Sequence, residues 1–155
     1  MKTSKKGLDL IKRFEGWSST PYLDPVGIPT IGYGFTYYLP SRQKVTMKDK
    51  PLTLAQGDEM LRQVLVTYEN DVNRLVKAKL NQNQFDALVS FTFNLGGGNL
   101  SKSTLLRKVR ANPCDPTIKA EFMRWVYAGG KVLNGLVRRR REEADLYFTK
   151  QRCKI

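Results

Sequence analysis

Between Pro21 and Val45 the chain interleaves Pro21, Pro25, Gly27, Pro29, Gly32, Gly34 and Pro40 with Tyr22, Ile28, Ile31, Tyr33, Tyr37, Tyr38 and Val45. Proline lacks the N–H that a helix interior needs, and glycine loses the most conformational freedom on ordering. Punctuation this dense excludes a helix and suits short, tightly turned strands. It is the one convincing β signal in the sequence, and it is flanked on both sides by helical periodicity. A small β-rich segment set among helices makes an α+β fold.

The helices announce their own ends. Ser4 stands where a cap is needed before Leu8, Ile11 and Phe14, and that helix should stop near Glu15-Gly16. Thr53 with Gln56 forms a capping-box pattern ahead of Leu54, Leu61, Val64, Leu65, Tyr68, Val72, Leu75 and Val76, all on one face of a long helix. Asn81 with Gln84 repeats the device before Phe85, Leu88, Val89, Phe91 and Leu95, and Gly96-Gly97-Gly98 should end that element. Ser101 or Ser103 can start a short helix that Pro113 ends. Asp115-Pro116 restarts a helix through Ile118, Phe122, Trp125 and Val126; Gly129-Gly130 breaks it, and a last helix begins near Asn134. No linker separates these elements, so residues 1–155 are expected to form a single domain.

At 155 residues the chain is long enough for a core without staples, and 41% hydrophobic residues argue against disorder. The sequence has no His, which excludes Ser-His-Asp and Cys-His relays, and two Cys alone cannot build a zinc centre. No metal or cofactor is called for, and acid/base chemistry falls to carboxylates, Tyr, Lys, Cys or water. Cys114 and Cys153 lack both CxxC spacing and a dense framework, so two reduced thiols are expected, a disulfide formed later in an oxidising compartment being the alternative. The net charge of +13 points to an anionic partner: nucleic acid, an acidic membrane or a cell-envelope polymer. No apolar run approaches the roughly 20 residues that span a bilayer, and residues 1–14 alternate basic and apolar types, so neither an export signal nor an anchor is expected.

Glu15 stands at the end of an amphipathic helix between Phe14 and Trp17, where partial burial favours a protonated carboxyl. Asp24 lies in a Pro- and Gly-rich turn, where backbone N–H groups and solvent favour the ionised form. A carboxyl that donates and a carboxylate that accepts, on opposite sides of a scissile bond, are what glycoside hydrolysis needs, and the Thr30 hydroxyl can orient the attacking water. Ordinary explanations stand beside this one: a carboxylate at a helix end is commonly solvated, and Asp before Pro is commonly a turn former.

The string EGWSSTPYLDPVGIPT from Glu15 to Thr30, continued by IGYGFT from Ile31 to Thr36, closely resembles the catalytic signature of the phage-type lysozymes. FTFNLGGGNLSKSTLL from Phe91 to Leu106 and GKVLNGLVRRRREEADLYF from Gly130 to Phe148 resemble the same family. The resemblance implies an endolysin, a muramidase that hydrolyses the β-1,4 bond between N-acetylmuramic acid and N-acetylglucosamine in peptidoglycan. It assigns Glu15 as general acid, Asp24 as the group assisting water and Thr30 as the residue that positions it. It also implies an inverting reaction, with carboxyls roughly 6.5–9.5 Å apart. The implied fold is a small N-terminal lobe with a short antiparallel sheet, a larger helical C-terminal lobe, a long helix joining them and a cleft between. Many relatives carry His where this chain has Phe35, which is expected to be core.

Tyr33, flanked by glycines, and Phe93 and Asn94 are candidate substrate contacts, because aromatic faces and amides suit sugar rings and N-acetyl groups; packing is the alternative for each. Of Arg138 to Arg141, one can point toward Glu15, while the rest are expected on a solvated basic face balanced by Glu142, Glu143 and Asp145. The expected setting is a monomer held in the host cytoplasm until a holin permeabilises the membrane, with electrostatic attraction to the anionic envelope and no specific nucleic acid. The alternative function is a basic peptidoglycan- or nucleic-acid-binding module without catalysis.

Overall fold

A computed structural model describes residues 1–149. The elements run α1 (Lys5–Glu15), β1 (Ser18–Leu23), β2 (Pro29–Gly32), α2 (Leu54–Val76), α3 (Gln82–Leu95), α4 (Gly97–Ser101), α5 (Thr104–Ala111), α6 (Ile118–Phe122), β3 (Tyr127–Ala128), β4 (Lys131–Val132) and α7 (Asn134–Phe148). They fall into two compact units, one of Ile11–Thr67 and one of residues 1–10 with residues from 68 onward, so the boundaries lie inside α1 and α2. The architecture is mostly helical with small antiparallel sheets, the expected α+β class.

The first unit, Ile11–Thr67, is organised by the punctuated segment. β1 and β2 pair antiparallel, with Ser18 opposite Gly32, Tyr22 opposite Thr30 and Leu23 opposite Pro29, and the register shifts between Ser18 and Tyr22. Behind the hairpin, Trp17 packs on Tyr33 with ring centroids 4.8 Å apart, and Phe35 meets Tyr33 edge-on at 6.2 Å. Phe35 is buried, as expected. The Thr53–Gln56 capping box forms in both directions, at 2.9 and 3.1 Å, and launches α2. Gly57, one turn in, leaves room for the Trp17 indole: a Cβ there would lie 2.3 Å from Trp17 Cζ3. Beyond the hairpin, Asp49 accepts hydrogen bonds from the Thr46 hydroxyl at 2.6 Å, the Thr46 N–H at 2.8 Å and the Tyr38 hydroxyl at 2.8 Å.

The second unit is built around α3. From Gln84 to Thr92 every residue of that helix is buried, as expected of a helix apolar on most faces and enclosed by others. Buried carboxylates of this unit find partners far away in the chain. Asp86 accepts from the Ser4 N–H at 3.0 Å, the Ser4 hydroxyl and the Gln82 amide at 2.8 Å. Glu69 accepts from both the N–H and hydroxyl of Thr3 at 2.6 Å. Phe91 meets Phe122 and Trp125 edge-on at 5.8 and 5.7 Å, and the buried Tyr147 donates its hydroxyl to Pro113 O at 2.7 Å. Glu121 ties α5 to α6 through Lys108 at 2.8 Å and takes Arg124 at 3.1 Å.

Four expectations need correction. Gly96 ends α3, but Gly97 opens the next helix, and a Cβ on Gly97 would lie 2.4 Å from Asp71 Oδ2, so close packing explains this glycine. The Asp115 restart yields only the five-residue α6, with Trp125 and Val126 beyond its end. Gly129-Gly130 forms the turn of a second hairpin, β3–β4, both glycines having positive φ (57° and 77°); strands two residues long carry no alternation to detect. Cys114 is disulfide-bonded rather than a reduced thiol; two cysteines without a framework leave no spacing signature from which to read this. Cys153 lies outside the described residues.

Gly57→Ala should destabilise the protein by about 1–3 kcal/mol through displacement of Trp17, which a denaturant melt followed by tryptophan fluorescence would report; an unchanged midpoint would show that the indole has room to move. A second expectation concerns pH. The Thr46 hydroxyl and N–H, and then the Tyr38 hydroxyl, hold the Asp49 carboxyl below its ordinary range, while burial and the bond to Asp49 push the Tyr38 phenol up to about 12. Because the folded pKa of Asp49 is depressed, its stabilising effect is complete above the unfolded carboxyl value and is lost as pH falls through the folded one. Asp49→Asn should therefore lower Tm at neutral pH and cost less at about pH 2.5; an equal loss at both would separate the network from the ionised carboxyl.

Candidate active site

Glu15 is the last residue of α1, and Gly16 leaves the helix with φ 71°, its N–H bonded to Lys12 O at 3.1 Å. The carboxylate is half-buried and faces the backbone after β2: a Cβ on Gly34 would stand 3.9 Å from Glu15 Oε2. That is ordinary contact, so Gly34 is needed for its φ of 86° rather than for space.

Asp24 occupies the turn between β1 and β2, and it is half-buried. Its Oδ1 accepts from Val26 N–H at 2.9 Å and Ile28 N–H at 2.8 Å, while its own N–H donates to Ile28 O at 3.0 Å and its carbonyl accepts from Gly27 N–H at 2.9 Å. One carboxylate oxygen thus builds the turn, and Oδ2 has no hydrogen bond among the described residues. The side chain is an Asx-type turn former with one oxygen left over.

Thr30 lies on β2 opposite Tyr22, buried, with its hydroxyl donating to Ile28 O at 2.9 Å. Since the proton is committed to the backbone, the hydroxyl oxygen offers only lone pairs to a neighbour, so a water bound there must donate. The same Ile28 carbonyl accepts the Asp24 N–H, and the Ile28 N–H donates to Asp24 Oδ1, so Asp24 and Thr30 are locked to a single hairpin end.

Tyr33 is 6% exposed, packed on Trp17 and Phe35, with its hydroxyl donating to Asp58 at 3.1 Å; Lys12, 2.9 Å from Asp58, lies 5.8 Å from the Tyr33 ring centroid. Its ring serves the packing under the hairpin. Phe93 is half-buried and meets Tyr68 edge-on at 5.3 Å. Asn94, at the last turn of α3, is exposed, and its side-chain oxygen accepts from Arg140 Nη2.

The basic run departs from expectation. Arg138 and Arg141 are exposed, but Arg139 and Arg140 are buried around the wholly buried Glu143. Glu143 Oε2 accepts from the Ser90 hydroxyl at 2.6 Å and lies 3.3 Å from Arg139 Nε; its Oε1 lies 3.1 Å from Arg140 Nη1. Burial pushes the Glu143 carboxyl up, against the pull of both guanidiniums and the Ser90 hydroxyl, and pulls Arg140 down to about 10. A run of four identical residues carries no mark of which members face inward, so sequence reasoning missed Arg140, and missed Asp58 for want of any motif.

The sequence matches the model of the phage lysozyme family over residues 12–143. It is 37% identical to an endolysin of Bacillus phage B103 over 96% of this chain and 55% of that one, and so spans about half the length of that relative. Among solved structures, an endolysin from Escherichia coli O157:H7 phage FAHEc1 superposes with a TM-score of 0.87 at 36% identity, covering 99% of this chain and 98% of that one. A mutant of P22 lysozyme superposes with a TM-score of 0.84 at 34% identity, covering 95% and 98%. With its sequence matched across most of its length and its fold across nearly all, the chain belongs to the phage lysozyme family.

Proposed function

We propose that this chain is the muramidase of an endolysin, hydrolysing the β-1,4 bond between N-acetylmuramic acid and N-acetylglucosamine in peptidoglycan, with residues 1–155 acting as one catalytic domain. The observation that carries the reading is the hairpin end, where Asp24 is held by Val26 and Ile28 N–H groups with one oxygen to spare, and Thr30 presents an acceptor oxygen on the adjoining strand.

On this reading Glu15 gives its proton to the leaving glycosidic oxygen as the bond to the anomeric carbon breaks. A water held by Thr30 attacks that carbon and passes its proton to Asp24 Oδ2, which also offsets the positive charge of the oxocarbenium-like centre. The sum is one bond cleaved, one water consumed and a proton moved from Glu15 to Asp24, with solvent restoring both groups. Asn94 and Phe93 contact the glycan, while the buried Tyr33 shapes the hairpin beneath.

The positive charge favours approach to the anionic envelope. No helix among the described residues is long and apolar enough to cross a membrane. The reading has the monomeric protein waiting in the host cytoplasm for a holin. Expression in a host without a holin should then leave turbidity steady until the inner membrane is permeabilised from outside; lysis at expression would show that the chain reaches the wall by itself.

The test of the chemistry is reducing-sugar release from purified peptidoglycan. Glu15→Gln should cut it by about 100- to 10,000-fold, the usual contribution of a general acid, with Tm little changed. Thr30→Val, which keeps the shape and loses the hydroxyl, should reduce it by about tenfold, the equivalent of one hydrogen bond. Equal release by wild type and Glu15→Gln would remove Glu15 from the mechanism. No release by either, with retained affinity for wall fragments or for DNA, would leave a binding module.

A further inference from the structure

Arg140 is fully buried, yet it reaches one exposed side chain. Its guanidinium lies 5.2 Å over the Phe91 ring, has Glu143 Oε1 at 3.1 Å, and donates through Nη2 to Asn94 Oδ1. Glu143 is in turn held by Ser90 at 2.6 Å and Arg139 at 3.3 Å. Everything in the group is inaccessible to a ligand except Asn94.

A guanidinium carries donors only, so the Asn94 atom facing it must be the carbonyl oxygen, whichever way a free amide would turn. The Nδ2 group then points away from Arg140, and it has no hydrogen bond among the described residues. An ordinary exposed asparagine exchanges donor and acceptor by flipping; this one has that freedom removed by a cation that is itself clamped between an aromatic face and a carboxylate. Such a group is matched by a ligand atom that only accepts. On an aminosugar glycan the acyl oxygen of an N-acetyl group meets that description, while hydroxyls, which can donate or accept, do not require the lock.

We propose that Arg140 is a positioning residue that fixes Asn94 as a hydrogen-bond donor to the carbonyl of an N-acetyl group on the glycan. The proposal rests on the muramidase reading for its choice of ligand. It adds a selectivity that the hairpin end does not provide: discrimination between acetylated and deacetylated sugars.

Direct observation is possible by NMR. In Glu15→Gln protein, to prevent turnover, the side-chain N–H resonances of Asn94 are followed while an N-acetylglucosamine oligomer, or its N-deacetylated counterpart, is added. They should shift with the first and stay in place with the second. Asn94→Asp keeps the acceptor for Arg140 and removes only the donor, so Tm should hold or rise while Kd for the acetylated oligomer weakens by about tenfold, one hydrogen bond's worth. Arg140→Gln should weaken binding in the native background and have no further effect on Kd in an Asn94→Ala background, a result that a merely structural role for Arg140 would not produce.

Unmoved Asn94 resonances, an unchanged Kd in Asn94→Asp, or additive losses in the double variant would each overturn the proposal. Reducing-sugar release by the wild type reports the underlying reaction independently. Release combined with an indifferent Asn94 sinks only this proposal, whereas acetyl-selective binding without release sinks only the reaction.

Discussion

Helix α3 has no exposed residue between Gln84 and Thr92, and the unit that contains it is arranged by the need to enclose it. A helix without a wet face has to bring partners for every polar group it carries. Asp86 is met by Ser4 and Gln82, Thr92 turns its hydroxyl back to Leu88 O at 2.7 Å, and Ser90 donates to Glu143. The last of these has the largest consequence. A carboxylate beside Ser90 needs cations, and Arg139 and Arg140 enter the core to supply them. Breaking such a group by removing one member leaves an unpaired buried charge, which costs about 3–5 kcal/mol.

The other unit solves a different problem, that of holding a tightly turned hairpin in place with few residues. The same few atoms therefore make several of its bonds at once. Asp24 Oδ1 makes the turn, Ile28 O receives the Thr30 hydroxyl and the Asp24 N–H, and the aromatic layer of Trp17, Tyr33 and Phe35 supports the strands from behind. Tyr33 illustrates the division of labour. Its flanking glycines suggest access, but its ring is committed to Trp17 and its hydroxyl to Asp58.

What was legible in the sequence was local. Capping boxes at Thr53–Gln56 and Asn81–Gln84 are satisfied by neighbours three residues apart, so their geometry is written in a short string. The punctuated segment announced its hairpin for the same reason. Long-range pairing was not legible. Nothing near Arg140 distinguishes it from Arg138 or Arg141, because its burial depends on Glu143, Phe91 and Asn94 arriving from two helices. Gly57 and Gly97 were silent too, since their reason lies in Trp17 and Asp71 across the packing. Of the candidate site, Glu15, Asp24 and Thr30 could be named from spacing and family likeness, whereas the shared role of Ile28 needed coordinates.

The turn at Asp24 bears on how a protein of this kind could change over time. Only one of its two carboxylate oxygens is occupied by the backbone. Asparagine offers the same acceptor at the same reach, so the hairpin would survive a substitution that turns the second oxygen into an amide nitrogen; glutamate keeps the charge but places it one methylene too far to close the turn. The charge at this corner is therefore separable from the fold, and a lineage that lost it would keep the hairpin intact rather than misfold.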